Sequence, residues 1–185
     1  MRLVQLAGVP QQPWRNGGGT TRELLAWPSG QAWALRVSVA HIGRDGPFSA
    51  YPGVDRWFAV LEGAGVELTW QGHVAHVTRE SAPLRFDGGE GPVCRLLAGP
   101  TEDLNLMLQG ASGALEVASP GAPWSQRARW RGVFAATACV LQAGSTHELA
   151  AGTLAWTGAA DPNPWQLEAA PGQPLRAWWL HAQPT

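Results

Sequence analysis

Helical periodicity is almost absent from this chain. No eleven-residue window carries a convincing apolar stripe at i, i+3, i+4 and i+7, and Gly or Pro interrupts most candidates. Period-two alternation and short apolar runs take its place. The clearest run is residues 32–42 (AWALRVSVAHI), followed by 56–62, Val66–Trp70, His73–Val77, 93–97, 104–109, 133–142, 153–156 and 175–180. The 23 Gly and 15 Pro are spread between these runs as punctuation rather than massed in one block. Many short strands separated by Gly/Pro turns predict an all-β sandwich or barrel. With 185 residues the chain is long enough for one large domain or two small fused ones, and needs no disulfide or metal staple.

A weak internal repeat favours two units. Val60-Leu61-Glu62-Gly63, followed by Val66–Trp70, is similar to Val140-Leu141-Gln142-Ala143-Gly144, followed by residues 153–156. The segment 109–126, rich in Gly, Ser, Ala and Pro, is then the expected crossover between halves.

Charge excludes several classes of partner. Arg supplies all 13 basic residues against 14 acidic ones, for a formal net charge of −1. That balance removes the electrostatic case for nonspecific binding to nucleic acid or an anionic membrane. No apolar run reaches the length of a membrane-spanning helix, and the start MRLVQLAGVPQQPW lacks a signal peptide's apolar core, so the expected compartment is the cytoplasm. Cys94 and Cys139 have no CxxC-type spacing and read as buried free thiols.

The chemistry-bearing motifs are few. Residues 13–23 (PWRNGGGTTRE) hold three consecutive glycines, which admit backbone angles closed to other residues and let a ligand approach closely. The lysine and spacing of a phosphate loop are missing, so this stretch reads as a cleft-lining or purely structural loop. His73, His76 and Glu80 invite a metal reading. In a strand, however, the two histidines point to opposite faces and lie roughly 10 Å apart, too far for one zinc at ~2.0–2.1 Å from each nitrogen. No metal, cofactor or catalytic residue is assigned.

Polar residues embedded in strands are more informative. Alternation places Arg36 with Ser38, Arg56 with Phe58 and Val60, and Asp103 with Asn105 and Met107. If those faces line an interior, each guanidinium needs an acidic partner or an anionic ligand. Two readings stay open at this point: a ligand site, or Arg56 paired with Asp55, Glu62 or Asp103 and Arg36 on the solvent face.

The segments PWRNGGGTTREL, GPFSAYPGVDRWFAVLEGAG, PLRFDGGEG and LLAGPTEDLNLML, in that order, resemble the HutD/Ves family of small bacterial proteins. The likeness is close from Pro13 to Leu108 and loose beyond. It departs mildly at Arg15, where Lys is common, at Tyr51, where Phe is common, and at Asp87-Gly88. The resemblance implies a bicupin, two jelly-roll-like β-barrels in one chain. The barrels are expected over residues 1–108 and 109–185, with exchange of terminal strands between them left open. It also implies a regulatory protein that binds a urocanate-like carboxylate of histidine catabolism and modulates histidine utilisation. The family lacks the metal-binding cupin histidines. The ligand-binding residues expected on this basis are Trp14, Asn16, Arg36, Ser38, Ser49, Arg56, Asp103 and Asn105. The partner is a small anionic metabolite, with a homodimer as a further expectation. Two alternatives compete: a metal-independent cupin enzyme acting on a small organic acid, and a protein-contact module using exposed Trp124, Trp130, Trp165, Trp178 and Trp179.

Overall fold

A computed structural model describes residues 1–30, 32–159 and 162–184. The chain runs through β1 (Arg2–Gln5), a 3-10 turn (Leu6–Gly8), β2 (Gln12–Pro13), β3 (Gly19–Trp27), β4 (Leu35–Ile42) and β5 (Gly46–Pro47). Next come β6 (Val54–Glu62), β7 (Val66–Trp70), β8 (His73–Val77), β9 (Leu84–Asp87), a second 3-10 turn (Gly88–Glu90), β10 (Val93–Leu96) and β11 (Thr101–Gln109). The last third holds β12 (Ala111–Val117), β13 (Trp130–Ala135), β14 (Cys139–Gln142), β15 (Thr146–Leu149), β16 (Thr153–Thr157), β17 (Gln166–Ala169) and β18 (Ala177–Pro184). The protein is all-β, and no helix among the described residues is long and apolar enough to cross a membrane.

Contacts divide the chain into two compact units, Val9–Ala111 and Met1–Gly8 with Ser112–Thr185. Relative to the division expected at 108/109, the first eight residues join the C-terminal segment. The cause is local: β1 pairs along its whole length with β16.

The Val9–Ala111 unit contains a six-stranded sheet, β2-β3-β4-β11-β6-β9, and a four-stranded sheet, β5-β10-β7-β8. Ile42, Phe58, Val60 and Phe86 from the first sheet pack with Val66, Leu68, Val77 and Cys94 from the second. The other unit pairs a five-stranded sheet, β1-β16-β13-β18-β12, with a three-stranded one, β15-β14-β17. Its core joins Val133, Ala135, Ala155, Ala177 and Trp179 to Cys139, Leu141, Leu149 and Leu167. The sheets are open, so each unit is a sandwich of two sheets whose alternating inward residues form the core. Both cysteines are free and buried.

The structure adds short strands that the sequence reading does not contain, among them β1, β9, β15 and β17, and departs from it in other ways. Residues 133–142 form two strands, because the chain leaves one sheet at Ala135 and enters another at Cys139. Between them, the amides of Ala136 and Thr137 donate to the Arg176 carbonyl. The second part of the expected loop 13–23 belongs to a nine-residue strand, Gly19–Trp27, paired with β4, and the expected crossover 109–126 contains β12. The repeat-like segments also hold unlike positions: β6 lies inside the six-stranded sheet, whereas β14 is the centre of a three-stranded one.

Candidate functional site

Antiparallel register builds the site. Residues directly opposite one another project from the same face of a sheet. On β11, Met107 pairs with Arg36 of β4 and Arg56 of β6. Asn105 pairs with Ser38 and Phe58, and Asp103 with Ala40 and Val60. An extra residue on β6, Leu61, lies opposite the step from Glu102 to Asp103 on β11, and another on β3, Leu24, lies between Glu23 and Leu25. Three cross-strand rows thus share one face, polar at the β4–β11 side and apolar toward β6, where Phe58 and Val60 enter the core.

This face forms the wall of a cavity of about 560 Å³ that all the expected site residues line: Trp14, Asn16, Arg36, Ser38, Ser49, Arg56, Asp103 and Asn105. Ser38, Arg56, Asp103 and Asn105 are buried, Trp14 and Arg36 half-buried, and Asn16 and Ser49 exposed. The glycine loop borders the cavity. Asn16 Oδ1 accepts from the Gly18 amide at 2.9 Å, the Trp14 indole donates to Thr21 Oγ1 at 2.8 Å, and Arg44 Nη2 donates to the Gly17 carbonyl at 2.6 Å. Gly17 has φ of 65°, and a Cβ at Gly19 would lie 2.2 Å from the His41 carbonyl oxygen, so geometry requires glycine at these two positions.

The two arginines differ. Arg36 Nε donates to Glu23 Oε2 at 2.5 Å, which corrects its placement on a solvent face: it lines the cavity as half of an ion pair. Arg56 takes none of the short-range partners open to it in sequence. Asp55 pairs with Arg85 at 2.8 Å and Glu62 with Arg79 at 3.5 Å. Arg56 Nη2 instead donates to Asn105 Oδ1 at 3.1 Å, and Asn105 Nδ2 donates to Asp103 Oδ1 at 2.5 Å. Arg56 Nε and Nη1 and Asp103 Oδ2 are buried with no hydrogen-bond partner.

Burial shapes the electrostatics of this trio. Desolvation lowers the Arg56 pKa, against the opposing attraction of Asp103. Desolvation also pushes the Asp103 carboxyl up to about 7, although the Asn105 hydrogen bond and Arg56 both favour its ionised form. The Arg56 guanidinium carbon lies 5.2, 5.8 and 5.0 Å from the ring centroids of Phe48, Tyr51 and Phe86. Those rings are set by the backbone: the Phe48 amide donates to the Pro92 carbonyl and the Tyr51 amide to that of Gly88. Arg56 and Asp103 thus line the cavity while keeping guanidinium nitrogens and a carboxyl oxygen buried without a partner, beside apolar surface from Phe48, Tyr51 and Met107.

The sequence reading omitted Phe48, Tyr51 and Met107 from the site. For Met107 the signal was present, since alternation already put it beside Asp103 and Asn105. Phe48 and Tyr51 sit in the segment between β5 and β6, where no period links them to Arg56. Elsewhere, His76 Nε2 is 2.8 Å from Glu67 Oε2 on an exposed strand pair. No group of three His, Cys, Asp or Glu among the described residues is placed to hold a metal. The tryptophan contact surface is corrected: Trp124, Trp130, Trp165, Trp178 and Trp179 are all buried, at 9% exposure or less.

The HutD family model matches residues 7–173. An uncharacterized 21.2 kDa protein in the hutC 3' region of Pseudomonas putida is 33% identical over 110 residues, covering 58% of this chain and 57% of that one. Protein Ves of Cronobacter sakazakii is 35% identical over 93 residues, covering 50% and 51%. The match thus spans little more than half the length of these curated relatives. Among solved structures, a conserved protein of unknown function from Pseudomonas aeruginosa superposes with a TM-score of 0.89 at 25% identity, over 98% of each chain. HutD from Pseudomonas fluorescens gives a TM-score of 0.85 at 24% identity, over 100% of this chain and 98% of that one. Oxalate decarboxylase of Bacillus subtilis shares the fold, with a TM-score of 0.67 at 10% identity over 100% of this chain and 78% of its own.

Proposed function

The chain belongs to the HutD family, and from that premise we propose that its Val9–Ala111 unit binds a small carboxylate of histidine catabolism, urocanate-like, as the signal by which the protein modulates histidine utilisation. On this reading the two sandwiches are cupin-like units of a bicupin, and the ligand site lies in the first. One observation carries the proposal: Arg56, 6% exposed, keeps two guanidinium nitrogens without a partner at the wall of the cavity. A buried cation with unspent donors is costly unless an anion completes it. A carboxylate does so through charge-assisted hydrogen bonds, while Trp14, Phe48 and Tyr51 offer flat apolar surface for a planar body. The relative in the hutC 3' region supports the link to histidine utilisation.

Calorimetry with urocanate tests the reading. Arg56→Ala is expected to weaken binding by roughly 1.5–3 kcal/mol, the range for hydrogen bonds to charged groups. Arg56→Lys is expected to recover only part of this, because it keeps the charge without the planar donor array. Unchanged affinity in Arg56→Ala would place the site elsewhere. A second reading, a metal-independent enzyme acting on a small organic acid, is favoured by the Asp103 carboxyl, which titrates near 7 as a general acid or base does. Product formation followed by NMR, abolished in Asp103→Asn, would select it.

A further inference from the structure

Building on the carboxylate-binding reading, we propose that the site takes a small anion that also carries a hydrogen-bond donor, its charge seated at Arg56 and its donor at Asp103, so that Asp103 determines specificity. Asn105 separates the two ends. Its Oδ1 accepts from Arg56 and its Nδ2 donates to Asp103 Oδ1. Turning the amide over would set its N–H against the guanidinium and its oxygen against the carboxylate, so both neighbours fix its orientation. Asn105 therefore consumes one oxygen of Asp103 and leaves Oδ2, buried and without a partner, as the acceptor beside the cavity.

The rows of the sheet explain why these ends are distinct. Arg56 is level with Met107, four residues along β11 from Asp103, or roughly 13 Å at the backbone. The long Arg56 side chain reaches back only as far as the middle row, to Asn105. A ligand with its carboxylate on the free Arg56 nitrogens and a planar body along Asn105 thus presents its far edge to Asp103. A second anionic group there would meet Asp103 and the nearby Glu102, the charge that further raises the Asp103 pKa. An N–H or O–H there satisfies Oδ2. The positive groups, Arg56 and Arg36, together with Tyr51, belong to the other end, and the Cys94 thiol facing Asp103 is held neutral by burial.

The test compares trans-3-(pyrrol-2-yl)acrylate with trans-3-(furan-2-yl)acrylate by calorimetry at pH 8. These probes share shape and carboxylate, neither ring titrates near neutrality, and only the pyrrole donates. The wild-type protein is expected to bind the pyrrole about tenfold tighter or more, and the ratio to grow from pH 6 to pH 8 as Asp103 ionises. In Asp103→Asn, Asn105 continues to donate to the oxygen of residue 103, which turns the new amide N–H toward the cavity. The preference is then lost or reversed. Arg56→Ala weakens both probes alike and keeps their order. Equal affinities in the wild type, a measurement that needs no variant to fold, would overturn the inference while leaving carboxylate binding intact. Binding of neither probe would overturn both.

Discussion

Each unit buries an arginine among aromatic rings, and the two differ in what their N–H groups meet. Arg131, 1% exposed, lies 4.9 Å from the Trp124 ring and 4.5 Å from the Trp165 ring. Trp124 in turn stacks on Trp179 at 4.8 Å with an interplanar angle of 2°. Arg131 donates to main-chain carbonyls, Nη1 to Asn163 at 3.0 Å and Nη2 to Trp124 at 3.3 Å. Arg56, equally enclosed by rings, has an open cavity in place of such carbonyls. Burial and aromatic contact alone therefore do not distinguish a structural cation from a recognition cation. The fate of its N–H groups does.

Stability measurements give the largest contrast. Arg131→Met removes two hydrogen bonds made by a buried charged donor and its contacts with two indoles, although the Trp124 carbonyl keeps its bond from the Trp165 amide. At about 1.5–3 kcal/mol for a hydrogen bond to a charged group, a loss of about 3 kcal/mol is expected. Arg56→Met removes one side-chain hydrogen bond, to Asn105 Oδ1 beside the cavity, and relieves two buried nitrogens that have no partner. A loss of about 1 kcal/mol, the net worth of one hydrogen bond, is expected, alongside weaker carboxylate binding. Urea unfolding of both variants decides the matter, and equal losses would dissolve the distinction.

The two units should also respond to pH in opposite senses. Asp103 has its folded pKa raised from 3.8 to about 7. The folded state therefore holds the Asp103 proton more tightly than the unfolded state. The associated stability is fully present below about pH 4 and is lost as pH rises through about 7, by at most about 4 kcal/mol at ~1.4 kcal/mol per unit. In the other unit, burial lowers the pKa of His181, with Glu116 opposing the shift. That contribution is present at neutral pH and is lost as the solution is acidified through the histidine range. Urea midpoints between pH 5 and pH 8 are expected to lose the Asp103 component in Asp103→Asn and the His181 component in His181→Phe. If Asp103→Asn keeps the wild type's loss of stability as pH rises through about 7, the Asp103 carboxyl is not buried as described.

Much of the site was legible because strand alternation is a strong local signal. It put Arg36 with Ser38, and Asp103 with Asn105 and Met107, before any pairing was known. What it lacks is the partner strand. Glu23 lies on β3, hidden in a stretch that opens with three glycines and reads as loop, so the ion pair that occupies Arg36 could not be seen. The C-terminal half was obscured for another reason. Alternation sets Trp178 and Trp179 on opposite faces of one strand, which admits one of them to a core; what it does not show is that both faces of β18 are covered. Fold class survives such gaps because it depends on many runs at once, whereas a partner depends on one pairing.

The smallest effect separates the two arginines of the cavity itself. Arg36 and Arg56 line the same wall, level with each other across Met107. Arg36 is already held by Glu23, with side-chain exposures of 20% and 32%. Solvent screening at that exposure limits the pair to roughly 1 kcal/mol, so Arg36→Gln is expected to cost about that in stability and to weaken carboxylate binding less than Arg56→Ala does. Glu23→Gln is the sharper variant. It removes the competing carboxylate while leaving the guanidinium in place, so Arg36 becomes a second cation free to meet the ligand. Carboxylate affinity is then expected to rise severalfold, by about 1 kcal/mol at most, and to rise less in an Arg36→Gln background. Calorimetry on the two single variants and the double variant reads the coupling directly. If Glu23→Gln weakens binding instead, Glu23 is orienting Arg36 toward the ligand, and the wall of this cavity works with two recognition cations.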